Sequence, residues 1–192
     1  LVEVVKNLHS RKIPFVPRGA GTGLSGGAVP REQSVIIEMA RFKEIHDIDW
    51  LNRTITVGPG VINLRISEKV QPDGYHYVPD PSSQKACTIG GNVAENSGGP
   101  HTLKYGVTVN HVLGLEMVLP DGEVVELGGK TFPIAGPDML ALVIGSEGTF
   151  GIVTKITCRL TPNPEKAITL LGVFDSVQKL SLIHISEPTR HG

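Results

Sequence analysis

Residues Pro17–Pro30 read PRGAGTGLSGGAVP, and the way this stretch folds decides the architecture of the chain. Five of its residues are glycine, the spacers are mostly small or carry hydroxyls, and a single cation, Arg18, stands at its head. Lacking Cβ atoms, glycines let successive backbone N–H groups turn toward one point and let a ligand touch the main chain. Amides arranged in that way suit an anion, most often a phosphate. The stretch therefore predicts a loop lying along a phosphate-rich cofactor.

Gly21, Gly23 and Gly26 also spell G-x-G-x-x-G, the dinucleotide pattern of Rossmann folds. In that fold the glycine loop opens directly into a helix whose N-terminus holds the pyrophosphate. Here Gly27-Ala28-Val29-Pro30 follows instead, and the apolar run Val35-Ile36-Ile37 begins too soon for two helical turns. A floppy linker fits less well still, because compact strand-like runs stand on both sides.

Over the whole chain, glycine is again the informative excess, about 12% of the 192 residues against an average of about 7%. Twelve of the 23 glycines fall in three windows, Gly19–Gly27, Gly90–Gly99 and Gly145–Gly151, as expected if one long ligand touches three backbone surfaces. Net charge is −1 with no basic block, which excludes the electrostatic footprint of a nucleic-acid binder. The apolar runs are too short for a membrane span and no signal peptide is visible. Cys87 and Cys158 stand far apart without metal-ligand spacing; they read as buried thiols and suit a reducing compartment. No metal site is expected.

Leu1–Arg11 has Val2, Val5 and Leu8 at helical spacing. Ile13–Val16 and Val35–Met39 read as strands on either side of the glycine loop. Ile45–Trp50 and Thr54–Val57 read as a hairpin turning at Asn52-Arg53. These elements make a small α/β lobe, residues 1–58. Val61–Val70 reads as a helix ended by Pro72-Asp73-Gly74, and Pro79-Asp80-Pro81 sets an irregular connection. Val112–Leu119 and Glu123–Leu127 form a hairpin across Pro120-Asp121-Gly122. Asp138–Ile144 is a short helix, and Ile152–Leu160 alternates as a strand. Residues 59–164 thus form a larger lobe with mostly antiparallel sheet, and the fold class is α+β, not Rossmann. Ile168–Phe174 reads as one further short strand.

After Lys179 the text changes character. LSLIHISEPTR resembles a translated sequencing adapter, so 180–192 reads as a non-native tail, and His184 and His191 are set aside. A start at Leu1 rather than Met suggests a lost N-terminal piece, and with the tail foreign after Lys179 the chain reads as truncated at both ends.

Three motifs in this order, PRGAGTGLSGG, PDPSSQ…TIGGNVAENSGGPHTLKYG and GSEGTFGIVT, resemble the flavin-binding (PCMH-type) domain of the vanillyl-alcohol-oxidase family. Within it they are most similar to the group of the glycolate oxidase FAD subunit and the D-lactate and D-2-hydroxyacid dehydrogenases. The resemblance covers residues 1–164 and implies a two-lobed domain gripping FAD, with 165–179 beginning a truncated C-terminal cap domain. It implies that Arg18, Gly19, Ala20, Gly21, Thr22 and Gly23 wrap the pyrophosphate, with Thr22 or Ser25 adding a hydroxyl. It places Asp80, Ser82, Ser83, Gly90, Gly91, Asn92, Asn96, Ser97 and Gly98 along the ribityl chain and ring. Glu147, Gly148, Gly151, Ile152 and Val153 then fall at the adenosine end. Glu147 could equally brace its loop.

Some members of that superfamily attach flavin through a histidine in the first loop; none lies between Pro17 and Pro30, so non-covalent FAD is expected. His101 is a candidate flavin neighbour, weighed evenly against a structural role, and Lys104 is a weaker one. His9, His46, His76 and His111 have no partner at ligand spacing and read as surface or core.

The implied activity is oxidation of a small D-2-hydroxyacid by hydride transfer to flavin. Base and substrate clamp would come from the cap, so this fragment would be inactive alone. Other oxidase subunits are the implied partners, in the cytoplasm or peripheral to a membrane as part of a complex. Two other readings stay open: an NAD(P)-dependent Rossmann dehydrogenase, which needs a helix opening at Gly26, and a non-catalytic FAD-binding electron-transfer subunit.

Overall fold

The computed structural model describes residues 1–130, 136–166, 168–169 and 171–180, so nearly all of the 180–192 tail lies outside the described residues. Helix α1 (Val2–Ser10) buries Val5 and Leu8, with Glu3 in its first turn and His9 in its last, where the helix dipole favours such charges. Strands β1 (Phe15–Arg18) and β2 (Val35–Glu38) pair in parallel, Phe15 opposite Val35 and Arg18 opposite Glu38. Parallel neighbours are usually joined through a helix. Here residues 19–34 cross over with no helix at all, which removes the Rossmann reading.

Strands β3 (Ile45–Asp49) and β4 (Thr54–Val57) form the expected hairpin. Helix α2 (Asn63–Val70) buries Asn63, Ile66 and Val70; Pro72 follows in a short 3-10 turn, and Gly74 closes it at φ 83°. Next come β5 (Tyr75–His76), α3 (Ile89–Glu95) and α4 (Thr102–Tyr105). Strands β6 (Val112–Val118) and β7 (Val124–Gly128) make the second hairpin, at whose turn Asp121 Oδ1 accepts from Glu123 N–H at 2.9 Å. Helix α5 (Met139–Val143) is capped by Asp138, which accepts from Ala141 N–H at 2.9 Å. Strands β8 (Ile152–Arg159) and β9 (Thr161–Pro162) end the domain, β9 pairing with β5.

The larger sheet is antiparallel, in the order β3-β4-β8-β6-β7. The β3–β4 hairpin, assigned by sequence to the first lobe, is therefore part of it. Ile55 and Val57 have no exposure, and β8 offers a second apolar strand to pair with, so burial draws the hairpin across the 58/59 boundary. Lys130, just past β7, pairs with Asp47 (2.6 Å) and Asp49 (3.2 Å) of β3. A flat sheet would hold those edges roughly 19 Å apart, four strand spacings, so the sheet curls.

The main core packs α2, α3 and α5 on this sheet around Ile55, Ile66, Ile89 and Ile156. A second cluster, Val5, Met39, Val118 and Ile152, joins α1 and the parallel pair to the ends of β6 and β8. Residues 168, 169 and 171–174 carry no strand. Leu171 and Val173 are almost fully exposed, and without a strand partner among the described residues, apolar alternation alone does not make a strand.

His111 is 5% exposed; its Nε2–H donates to Tyr105 O at 3.0 Å while Nδ1 has no partner among the described residues. Burial lowers its pKa from the ordinary 6.5. As pH falls the unfolded chain takes up this proton first, so stability is flat above the unfolded value and is lost as pH drops from there toward the folded one. Urea midpoints at about pH 7.5 and about pH 5.5 are expected to differ less in His111→Gln than in the parent.

Candidate functional site

At its C-terminal end β1 delivers the chain at Arg18 into the glycine loop. The backbone amides of Gly19 to Ser25 donate to no acceptor among the described residues. Buried amides are almost always paired, and those of an open loop face solvent or a ligand. Opposite the loop lies α3, built from the second glycine window. Thr88 caps it, its Oγ1 accepting from Gly91 N–H at 3.3 Å, and Asn96 ends it in the left-handed region at φ 48°. Gly-Gly-Asn has poor helix propensity, and the sequence alone assigns the window no helix. The cap and the left-handed Asn are what make it a helix.

α3 is the element that brings the three windows together. Gly19 packs so closely on Thr88 that a Cβ there would overlap Thr88 Oγ1, and a Cβ on Gly23 would stand 2.9 Å from Glu95 Oε1. The third window is stitched to the same helix by Gly145 N–H to Val93 O and Glu147 N–H to Ala94 O, both 2.8 Å.

Two adjoining cavities follow. The larger, about 280 Å³, is lined by Gly19, Ala20, Gly21, Thr22 and Gly23 on one side, and by Ser83, Gly91, Asn92, Ser97 and Glu147 on the other. The smaller, about 90 Å³, is lined by Gly90, Gly148, Gly151, Ile152 and Val153 with Met39 and Pro59. Pro17, Gly19, Thr88, Gly91, Ala94 and Glu147 line both, so the two form one elongated groove.

Six of the expected residues line neither cavity. Arg18 folds its guanidinium over Gly21. The Ser25 hydroxyl donates to Glu95. Asn96 Oδ1 accepts from Val109 N–H at 2.9 Å, a bracing role. Gly98 leaves room for Thr102 and Val107, and Ser82 is exposed. Asp80 Oδ2 lies 2.6 Å from Nδ1 of His101, whose side chain is 67% exposed. Lys104 Nζ sits 4.7 Å over the Tyr105 ring.

Sequence reading missed Thr88 and Glu95. Once the window is read as a helix, Thr88, Asn92 and Glu95 fall at i, i+4 and i+7 on one face, the face that lines the groove.

The groove fits a long, neutral-to-anionic ligand rich in acceptors. Asn92 is 1% exposed, and its Nδ2 finds no acceptor among the described residues. Such a buried donor costs stability unless a partner arrives. Together with the free loop amides it matches the acceptor chain of a diphosphate and a polyol. Glu95 and Glu147 in the wall make side-chain charge a poor attractant, so backbone N–H groups carry the recognition. The Cys87 thiol also lines the groove; burial is the largest cause of its raised pKa, so it stays neutral. Among the described residues no three His, Cys, Asp or Glu side chains gather to hold a metal, and no helix is long and apolar enough to cross a membrane.

Comparison with known proteins agrees with this geometry. The chain is 54% identical over 174 residues to glycolate oxidase subunit GlcD of Escherichia coli (strain K12), covering 91% of this chain and 35% of that protein. It is 47% identical to GlcD of Bacillus subtilis (strain 168), covering 86% and 36%, and 39% identical to a D-lactate dehydrogenase of Anaerostipes hadrus, covering 91% and 37%. The chain thus spans little more than a third of the length of these relatives. Among solved structures, an alkyldihydroxyacetonephosphate synthase matches with a TM-score of 0.76 at 26% identity, over 86% of this chain and 30% of that one. The family described as "FAD binding domain" matches residues 1–128. On that match, which spans more than half of its length, this chain belongs to the FAD binding domain family.

Proposed function

We propose that the chain is the cofactor-holding part of an FAD-dependent oxidoreductase that oxidises a small D-2-hydroxyacid of the glycolate or D-lactate type. The observation that carries this reading is the convergence of all three glycine windows on one groove lined by unpaired donors. The names of the relatives, glycolate oxidase subunit and D-lactate dehydrogenase, support the substrate class.

Bound FAD would supply the hydride-accepting chemistry. In this reading the amides of Gly19–Ser25 hold the diphosphate, and Arg18 offsets one of its charges. Ser83, Asn92 and Ser97 line the ribityl and ring end, while Gly148–Val153 enclose the adenosine end. Asp80 orients His101 through Nδ1, leaving Nε2 open as a candidate flavin neighbour. Residues 1–164 then form the cofactor domain, 165–179 begin the cap that carries the substrate clamp and base, and 180–192 are a tail foreign to it. The GlcD relatives' name as a subunit supports work beside other oxidase subunits; the cytoplasm or a membrane surface is the place proposed for it. No nucleic acid takes part.

FAD held in this way is non-covalent, so acid precipitation of the loaded chain is expected to leave all flavin in the supernatant. Flavin retained in the pellet would point instead to a covalent link, with Cys87 the side chain to examine. The activity is tested anaerobically in a protein of the relatives' full length. Glycolate or D-lactate, but not L-lactate, is expected to bleach the flavin's visible absorbance. FAD bound but bleached by no 2-hydroxyacid would remove the substrate reading and leave the cofactor reading intact.

A further inference from the structure

The loop of residues 19–34 contains five glycines and makes one hydrogen-bonded tie to the rest of the chain among the described residues. That tie is the Ser25 hydroxyl donating to the Glu95 carboxylate, 2.8 Å from Oε2 and 3.0 Å from Oε1. Its other hydrogen bonds, Val29 N–H to Gly26 O and Ser34 N–H to Arg31 O, lie within the loop. Glu95 stands in the last turn of α3, on the groove-lining face with Thr88 and Asn92. Its carboxylate packs closely on Gly23, where a Cβ would stand 2.9 Å from Oε1. The loop thus provides both the space and the donor for this one residue.

We propose that Glu95 is a positioning residue for the cofactor, gripping Ser25 so that the amides of Gly19–Ser25 are already aimed into the groove when FAD arrives. A glycine-rich loop has the most conformational freedom to lose on binding, and a tie made beforehand lowers that cost. The charge of Glu95 by itself disfavours a diphosphate, as does that of Glu147 in the same cavity wall. Arg18, beside Gly21, is the nearby cation, and the Cys87 thiol is neutral. A carboxylate kept in this wall is explained if the order it imposes outweighs its repulsion.

The proposal rests on the flavin reading of the groove, and its test keeps the two apart. FAD is titrated into this chain, followed by flavin fluorescence, for the parent, Glu95→Ala, Glu95→Gln, Ser25→Ala and the double alanine variant. Each alanine is expected to raise Kd about tenfold, the worth of one hydrogen bond to a charged group. The double variant is expected to lose no more than either single one, since both remove the same bond. Glu95→Gln keeps an acceptor for Ser25 and is expected to stay near the parent. Melting temperatures without FAD should agree across the set, because the pair is exposed. Unchanged or tighter binding by Glu95→Ala overturns the proposal, as do additive losses or a Gln variant as weak as Ala. A folded parent that binds no FAD overturns the groove reading together with it.

Discussion

Gly19→Ala is expected to weaken FAD binding about 100-fold, close to 2.7 kcal/mol. Gly19 lies in the wall shared by both cavities, so any change there is felt along the whole groove. A methyl at this position overlaps Thr88 Oγ1, and Thr88 is 5% exposed and caps α3. Two responses are open to the protein. Thr88 can rotate, which gives up the cap at a cost of about 1 kcal/mol. Otherwise the loop and α3 move apart, which turns the amides of Gly19–Ser25 away from the groove. Either way the donors that replace positive side chains at this site lose their common aim. Fluorescence titration measures the affinity, and thermal melting without FAD reports the part that belongs to folding. A variant that melts lower but binds as tightly as the parent would show that this wall is not where the cofactor lies.

The largest expected effect on stability is that of Ile156→Ala. Ile156 has no exposure and sits on β8, the middle strand of the five, facing Val57 of β4 on one side and Leu115 of β6 on the other. Removing three of its carbons leaves a cavity between neighbours held in place by two strand ladders, which cannot close over it. The cost is about 3 kcal/mol, which for a domain of this size lowers the melting temperature by roughly 6–12 °C. Differential scanning calorimetry measures it directly. A shift of a degree or less would mean that β8 is not the middle strand of the sheet or that the core is far looser than its burial indicates.

Helices α1, α2 and α5, both hairpins and β8 are legible in the chain because each is a local problem. Their apolar periodicity, their caps and their turn residues all lie within a few positions of one another. The glycine loop is legible for the same reason, since too few residues separate Gly26 from Val35 to hold a helix. What escaped reading depended on partners distant in sequence. The β3–β4 hairpin joins the larger sheet because β8, a hundred residues later, offers it an apolar neighbour. Residues 168, 169 and 171–174 look like a strand but pair with none among the described residues. The second glycine window is a helix because Thr88 caps it and the third window and glycine loop pack on it, overriding weak propensity.

The order and content of three glycine windows, read alone, determine the family, the FAD reading and the α+β class, because a backbone that must approach a phosphate leaves its mark as missing side chains. Tertiary structure decided how those windows become a single site. One face of α3 carries Thr88 against Gly19, Glu95 against Gly23 and Ser25, and between them Asn92, whose Nδ2 has no partner among the described residues, while carbonyls of the same helix hold the third window. Those contacts join residues up to 72 positions apart. No local pattern encodes them, since close packing and hydrogen-bond pairing between distant segments are settled only when the core closes.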